Sequence, residues 1–470
     1  MANITFMGAG STVFAKNVLG DCMVTPSLKG SRIALYDIDE HRLMESKTML
    51  DAINANVGAQ AEIVPYLGVE NRKEALRGAQ YVVNAIQVGG YAPCTITDFE
   101  IPKKYGLRQT IADTLGIGGI FRALRTIPVM LDFARDIEEV CPGAWMLNYS
   151  NPMAMLTGAM LRFTNVKTVG LCHSVQVCAE HLLAGLAMPY DEKTQWLIAG
   201  INHQAWLLEI TQDGKDLYPE IKRRMYLKEQ GKLDPPENLI VMFSHYPEEA
   251  REAMAKKALE EFKTGKHGDM VRYELTRRFG YYITESSEHN AEYTPYFIKN
   301  RYPELIDRFN VPLDEYPRRC IHQIEDWEKR RDTLVSNPSL THTRTFEYGS
   351  YIIEAMETNK PYKIGGNVLN NGLIDNLPSQ AVVEVPCMVD KTGVMPCRVG
   401  NLPEQCAALN RTNINVQLLT LEAARTLKKE YIYQAALLDP HTSGELSIDD
   451  IIAMCDELIA AHEGWMPQYR

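Results

Sequence analysis

Two short stretches of this chain gather side chains that hold metals or move protons. Cys172-His173 follows the apolar run Val169-Gly170-Leu171, and His203 follows Leu197-Ile198-Ala199-Gly200-Ile201 with one residue between. A thiolate and an imidazole bind a borderline divalent cation, and two protein ligands leave positions open for substrate oxygens or water. The same pair also reads as a buried cysteine and a hydrogen-bonded histidine, and Cys178 and His181 read as packing and surface residues. The second stretch, Thr284 to Phe297 (TESSEHNAEYTPYF), holds three carboxylates, one histidine and two tyrosines. That mixture suits proton transfer and sugar binding, and it also suits an interface. Taken singly, Glu285 and Glu292 read as solvated or interface side chains. Asp113, in ADTLGIGG, can polarise a neighbouring acid or base or cap a helix.

These groups need a scaffold, and the first half of the chain supplies one. Residues 2–7 read as a buried strand, Gly8-Ala9-Gly10-Ser11-Thr12 as a tight turn, and Val13 onward as a helix. Gly8-x-Gly10 lets the backbone approach a pyrophosphate that faces the helix N-terminus. Gly8, Gly10, Ser11 and Thr12 are therefore candidate cofactor contacts. Asp37, closing the strand from Arg32, is a candidate partner for a ribose diol, and its charge favours NAD over NADP. The third glycine of the usual fingerprint is replaced by Val13. Further strand–helix units follow: Glu40–Val57 with helical spacing, strands at 63–66 and 81–86, then strands at 144–148 and 166–171, each leading into a helix. Apolar strands separated by helices imply a parallel sheet covered on both faces.

Beyond residue 200 the pattern changes. Residues 213–270, rich in Lys, Glu and Arg, read as solvated helices forming a lid or interface arm. Residues 368–400 read as loops and antiparallel strands, and the last 60 or so residues read as helices by their apolar spacing. The expected fold class is α/β. A Rossmann-like, doubly wound dinucleotide-binding domain (1–200) packs against a mixed α+β domain (201–470) for substrate, metal and oligomerisation.

Composition narrows the function. With 470 residues and a net charge of −11, the chain offers no broad basic surface for nucleic acid or an anionic membrane. No apolar run reaches bilayer length, and the N-terminus has no secretory pattern. Ten cysteines without a CxxC pair fit a reducing compartment. A cytoplasmic enzyme, homodimeric or homotetrameric, is the expectation.

The set GAGSTVFAKN, YDID, QTIADTLGIGGI, MLNYSNPMAM, GLCHSV, GINH, TESSEHNAEYTPYF, DNLP and VEVPC resembles glycoside hydrolase family 4, in order, over most of the chain. GLCHSV is its most specific piece and is similar to members acting on unphosphorylated α-galactosides. The resemblance implies hydrolysis of terminal α-galactosides such as melibiose with NAD and Mn²⁺, an exception to two-carboxylate glycoside hydrolysis. The implied chemistry is oxidation at C3, deprotonation at C2, C1–O elimination, water addition and re-reduction. It implies Cys172 and His203 as metal ligands and Tyr293 as the C2 base, with Glu288 and His289 as fallback candidates. Asp113 is implied as the residue that raises that tyrosine's basicity, and Asn148 and Asn151 as substrate contacts. Phosphosugar members carry Asp where His173 stands, which makes His173 the candidate general acid. The alternatives are a uronide substrate (α-galacturonidase or α-glucuronidase), an NAD-dependent 2-hydroxy acid dehydrogenase, and a cofactor-binding regulatory protein with a dead site.

Overall fold

Strands such as Tyr81-Val82-Val83-Asn84 have apolar side chains on both faces, so they are stable only inside a covered sheet. In the computed structural model, which describes residues 1–236, 239 and 248–470, six of them form that sheet. They are β1 (Asn3–Met7), β2 (Arg32–Asp37), β3 (Glu62–Leu67), β4 (Tyr81–Asn84), β5 (Trp145–Asn148) and β6 (Lys167–Gly170). All five pairings are parallel, in the spatial order β3-β2-β1-β4-β5-β6. This is the doubly wound dinucleotide-binding order. Successive side chains enter different cores: Phe6, Val83 and Leu147 one layer, Met7, Val82 and Met146 the other. The helix Glu40–Val57 has the predicted bounds; Asp39 caps its start by accepting from Arg42 N, and Gly58 ends it at φ 59°.

The remaining strands extend the same sheet in antiparallel fashion. They are β7 (Thr194–Ile201), β8 (Gln204–Gln212), β9 (Lys215–Asp216), β10 (Tyr282–Ile283), β11 (Tyr362–Leu369), β12 (Val382–Asp390) and β13 (Gly393–Pro396). Among the described residues the result is one 13-stranded sheet. The joins between its parts are narrow. β11 meets β6 at Asn367 opposite Gly170, and β12 meets β7 at Glu384 opposite Gly200. Both joins lie just before the candidate metal ligands in the chain, which brings the ends of β6 and β7 together.

The segment read as solvated helices needs correction in part. The helix Tyr218–Glu229 buries Tyr218, Ile221, Met225 and Lys228, and the first three join the core packed under β7 and β8. Its other charges lie outward, while Lys228 is buried and donates to Gly185 O at 3.0 Å. Residues 237, 238 and 240–247 of that stretch lie outside the described residues. The C-terminal region is helical as its spacing predicts, with helices Glu404–Thr426, Lys429–Leu438 and Ile448–Ala461. No helix among the described residues is long and apolar enough to cross a membrane.

A buried ion pair in the first half of the chain is joined by a residue from near its C-terminus. Arg125, on the helix Gly116–Val140, is fully buried and donates to both carboxylate oxygens of Asp98, at 3.2 and 2.6 Å. His462, past the last helix, bonds the same carboxylate at 2.8 Å, and Arg125 Nε donates to Val88 O at 3.1 Å. Removing one partner strands a buried charge. Arg125→Met is expected to lower stability by ~3–5 kcal/mol, read as a shifted denaturant midpoint. A loss below ~1 kcal/mol, the value of an exposed pair, would contradict that account.

Candidate active site

The glycine turn sits where β1 ends. Gly8 has φ 89°, and a Cβ there would lie 2.7 Å from Ala85 O. At Gly10 a Cβ would meet Asp37 Oδ2 at 2.8 Å. That closeness is functional, because Gly10 N donates to Asp37 Oδ2 at 2.6 Å. Asp37 Oδ1 accepts from Ile38 N and Asp39 N. Asp37 therefore fastens the turn to the end of β2. Thr12 precedes the helix Val13–Val24 with a left-handed backbone, φ 38°. The hydroxyl of Ser11 is buried without a partner in the turn. A tight glycine turn, an orphaned hydroxyl and a helix N-terminus fit a dinucleotide's phosphates.

The second centre lies where β6 and β7 end. One donor atom each from Cys172, His203 and Glu285 lie within 4.8 Å of one another. Thiolate, imidazole and carboxylate together fit a borderline divalent cation. His203 is buried at φ 62° and Glu285 has φ 53°. Left-handed backbone costs energy at such residues and is held by its surroundings at functional sites. Burial pushes the His203 imidazole down to about 4, which keeps it neutral and able to ligate. Burial pushes the Cys172 thiol up, and the Glu384 and Glu285 carboxylates add to that, so ligation must displace its proton.

The cluster does not match the reading of Glu285 and Glu292 as solvated. Glu285 faces His203 Nε2 at 3.4 Å. Glu292 is buried and accepts from three successive backbone amides, Thr110 N, Ile111 N and Ala112 N, at 2.8, 3.3 and 2.7 Å. It clamps the segment that carries Asp113 to the short helix Ser287–Glu292, next to Tyr293.

Tyr293 Oη lies 3.0 Å from His203 Nδ1, and the two rings stack at 19°. Burial raises this phenol well above its usual range, with Asp113, Glu292 and Glu285 adding to the effect. Burial also works against the charge of Asp113, but Arg122 and His289 hold that carboxyl below the usual range. Asp113 accepts from Thr114 Oγ1 at 2.7 Å and Asn151 Nδ2 at 3.3 Å. Asn151 thus lies with Asp113.

Asn148 ends β5. It is fully buried, and its amide is spent on Asn84, Ser150 and Thr157. Asn148 fastens the turn that presents Asn151. His173 is half exposed, with Nε2 2.6 Å from Glu347 Oε2. Burial lowers its tendency to protonate, but Glu347 outweighs that and raises the imidazole above its usual value.

Two family models cover this chain: "Family 4 glycosyl hydrolase" matches residues 3–188, and "Family 4 glycosyl hydrolase C-terminal domain" matches residues 198–442. The chain belongs to glycosyl hydrolase family 4. It is 61% identical over 470 residues to an α-galactosidase of Bacillus subtilis, covering 100% of each chain. It is 34% identical to an α-galactosidase of Rhizobium meliloti, covering 99% of this chain and 89% of that one. In fold it is similar to a 6-phospho-α-glucosidase from gut microorganisms solved in complex with NAD and Mn²⁺. The TM-score is 0.79 at 20% identity, with 100% of each chain covered.

Two further carboxylates of this family 4 chain escaped the residue-by-residue reading. Glu384, on β12, is buried, accepts from Asn367 Nδ2 at 2.8 Å, and is pushed up to about 7 by burial. It stands in the run Val382-Val383-Glu384-Val385, and a lone acid in an apolar strand was its signal. Glu347 lies before the helix Tyr348–Thr358, 174 positions from the histidine it holds. No spacing rule links the two.

Proposed function

We propose that this protein is an α-galactosidase that hydrolyses terminal α-galactosides such as melibiose, using NAD and a divalent cation, Mn²⁺ by preference. One observation carries the reading: the Cys172–His203–Glu285 donor cluster, with Tyr293 against it, lies at the strand ends of a dinucleotide-type sheet in a chain 61% identical to an α-galactosidase. Gly8, Gly10, Ser11, Thr12 and Asp37 would hold the dinucleotide, and Cys172 and His203, with Glu285 beside them, the cation. When bound, NAD supplies reversible hydride transfer at sugar C3, and the cation supplies Lewis-acid charge.

The chain's own residues do the rest. Tyr293, as a phenolate that would accept from His203 Nδ1–H, takes the proton from C2, Asp113 sets the field around that oxygen, and Asn151 orients the sugar. His173 gives a proton to the leaving oxygen. Division of labour near residue 200 follows from this reading, with the first part binding dinucleotide and the second supplying His203, Glu285 and Tyr293. Ten free cysteines support a reducing cytoplasm. Ile321 and Ile324, exposed on the helix Glu315–Val335, support a homo-oligomer.

Hydrolysis of melibiose in D₂O tests the chemistry. Deuterium at C2 of the released galactose is the expected result, because removal of that proton precedes cleavage. Release of galactose without deuterium at C2 overturns the reading. Net NADH from 2-hydroxy acids, with no galactose released from melibiose, marks a dehydrogenase instead.

A further inference from the structure

Residues 342–349 cross from the first helix to the end of β6. Their anchor is Asp21, fully buried on the helix Val13–Val24. Its carboxylate accepts from His342 Nε2 at 2.6 Å, Thr345 N at 2.7 Å and Thr345 Oγ1 at 2.6 Å. Gly20 allows this closeness, since a Cβ there would meet the His342 ring at 2.7 Å. Beyond the anchor, three successive residues reach the strand ends. Glu347 N donates to Thr345 Oγ1 at 3.2 Å, and its carboxylate lies 2.6 Å from His173 Nε2. Tyr348 Oη donates to Cys172 O at 3.0 Å, and Gly349 N donates to Tyr149 Oη at 2.9 Å. The rings of Tyr149 and Tyr348 each stand 5.9 Å from the His173 ring.

This is far more structure than a surface histidine needs. With its side chain 48% exposed, His173 has one side open to solvent, yet it is held by a carboxylate and flanked by two aromatic rings. Glu347 is itself fixed through Thr345 to a buried acid. We infer that Glu347 is a positioning residue: it orients His173 so that Nδ1 delivers the proton to the departing glycosidic oxygen. The inference rests on the reading of His173 as the general acid.

In the step it serves, the C1–O bond breaks and its electron pair goes to the leaving oxygen. That oxygen takes the proton from His173 Nδ1 and departs as an alcohol. The imidazole is left neutral, its Nε2–H still donating to Glu347. A carboxylate on the far nitrogen fixes the tautomer and orientation of the ring. Glu347 touches neither sugar nor cofactor in this account.

The test uses two α-galactosides that differ in their need for a proton. A sugar alkoxide leaves poorly without one, whereas 4-nitrophenolate leaves unaided. In Glu347→Gln the side chain keeps its length and an oxygen acceptor but loses its charge. Turnover of melibiose is expected to fall ~10²-fold, and turnover of 4-nitrophenyl α-galactoside less than ~5-fold, since proton donation is worth ~10²–10⁴ only where the leaving group requires it. Glu347→Asp should recover part of the melibiose activity. Equal losses on both substrates, or full melibiose activity in Glu347→Gln, overturn the inference. His173→Ala separates the two layers. If it too loses both substrates equally, the general-acid reading fails; if it shows the selective loss and Glu347→Gln does not, only the role of Glu347 fails.

Discussion

Cys172→Ala is expected to abolish divalent-cation binding and galactoside hydrolysis together while leaving a folded protein. Cys172 supplies the softest donor of the three that lie within 4.8 Å of one another. Hydrogen-bond partners behind a metal ligand are worth 10–100-fold in affinity, so loss of the ligand itself should cost more than ~100-fold. Calorimetric titration with Mn²⁺ reads this directly, independently of turnover. The cost to the fold is small by comparison. Within the protein the thiol has a 3.2 Å contact with Ser174 Oγ, an interaction worth ~1 kcal/mol, and the truncation removes only one sulfur atom. Thermal melts of the metal-free variant should therefore stay close to wild type. Wild-type Mn²⁺ affinity in the variant, or full activity without added metal, would remove the cation site from the mechanism.

The contrast between Cys172 and Glu285 shows what a linear sequence carries. Cys172 ends an apolar run, and a parallel strand buried on both faces announces itself by composition, so its C-terminal end can be located without the fold. The same holds for β1, β2, β4 and β5, and for the glycine turn after β1. Glu285 is different. It sits among other acids in TESSEHNAEY, which is what a solvated edge looks like. Only the pairing of β10 with β8, through Tyr282 opposite Leu207 and Ile283 opposite Trp206, carries it to His203. Glu292 is hidden for the same reason, because its three amide donors lie 180 to 182 positions away. The single-residue joins at Asn367 and Glu384 are likewise products of long-range pairing. Left-handed backbone at His203 and Glu285 gives no compositional sign, since neither residue is a glycine.

Tyr293→Phe should leave the protein folded and able to bind sugar, and lower kcat by ~10²–10⁴-fold, the usual worth of a positioned acid or base. The phenylalanine ring keeps the packing of a side chain that is 1% exposed and stacked on His203. Only the hydroxyl is lost, with its 3.0 Å contact to His203 Nδ1, so the expected change in stability is about 1 kcal/mol. KM for melibiose should move little, because the hydroxyl acts on a proton rather than on the sugar's binding groups. The decisive reading is at C2: deuterium incorporation from D₂O should fall in step with kcat. Two neighbours are the competing bases, and the geometry separates them from Tyr293. Glu288 is paired with Arg319, which holds its carboxylate to a cation on another helix. His289 has Nδ1 at 2.8 Å from Ser286 Oγ and Nε2 at 3.9 Å from Asp113 Oδ1, so its ring is bracketed on both nitrogens. If Tyr293→Phe keeps wild-type exchange at C2, the proton goes to His289 and the phenol is only packing. If exchange and kcat collapse together while KM holds, the hydroxyl that touches His203 is the base.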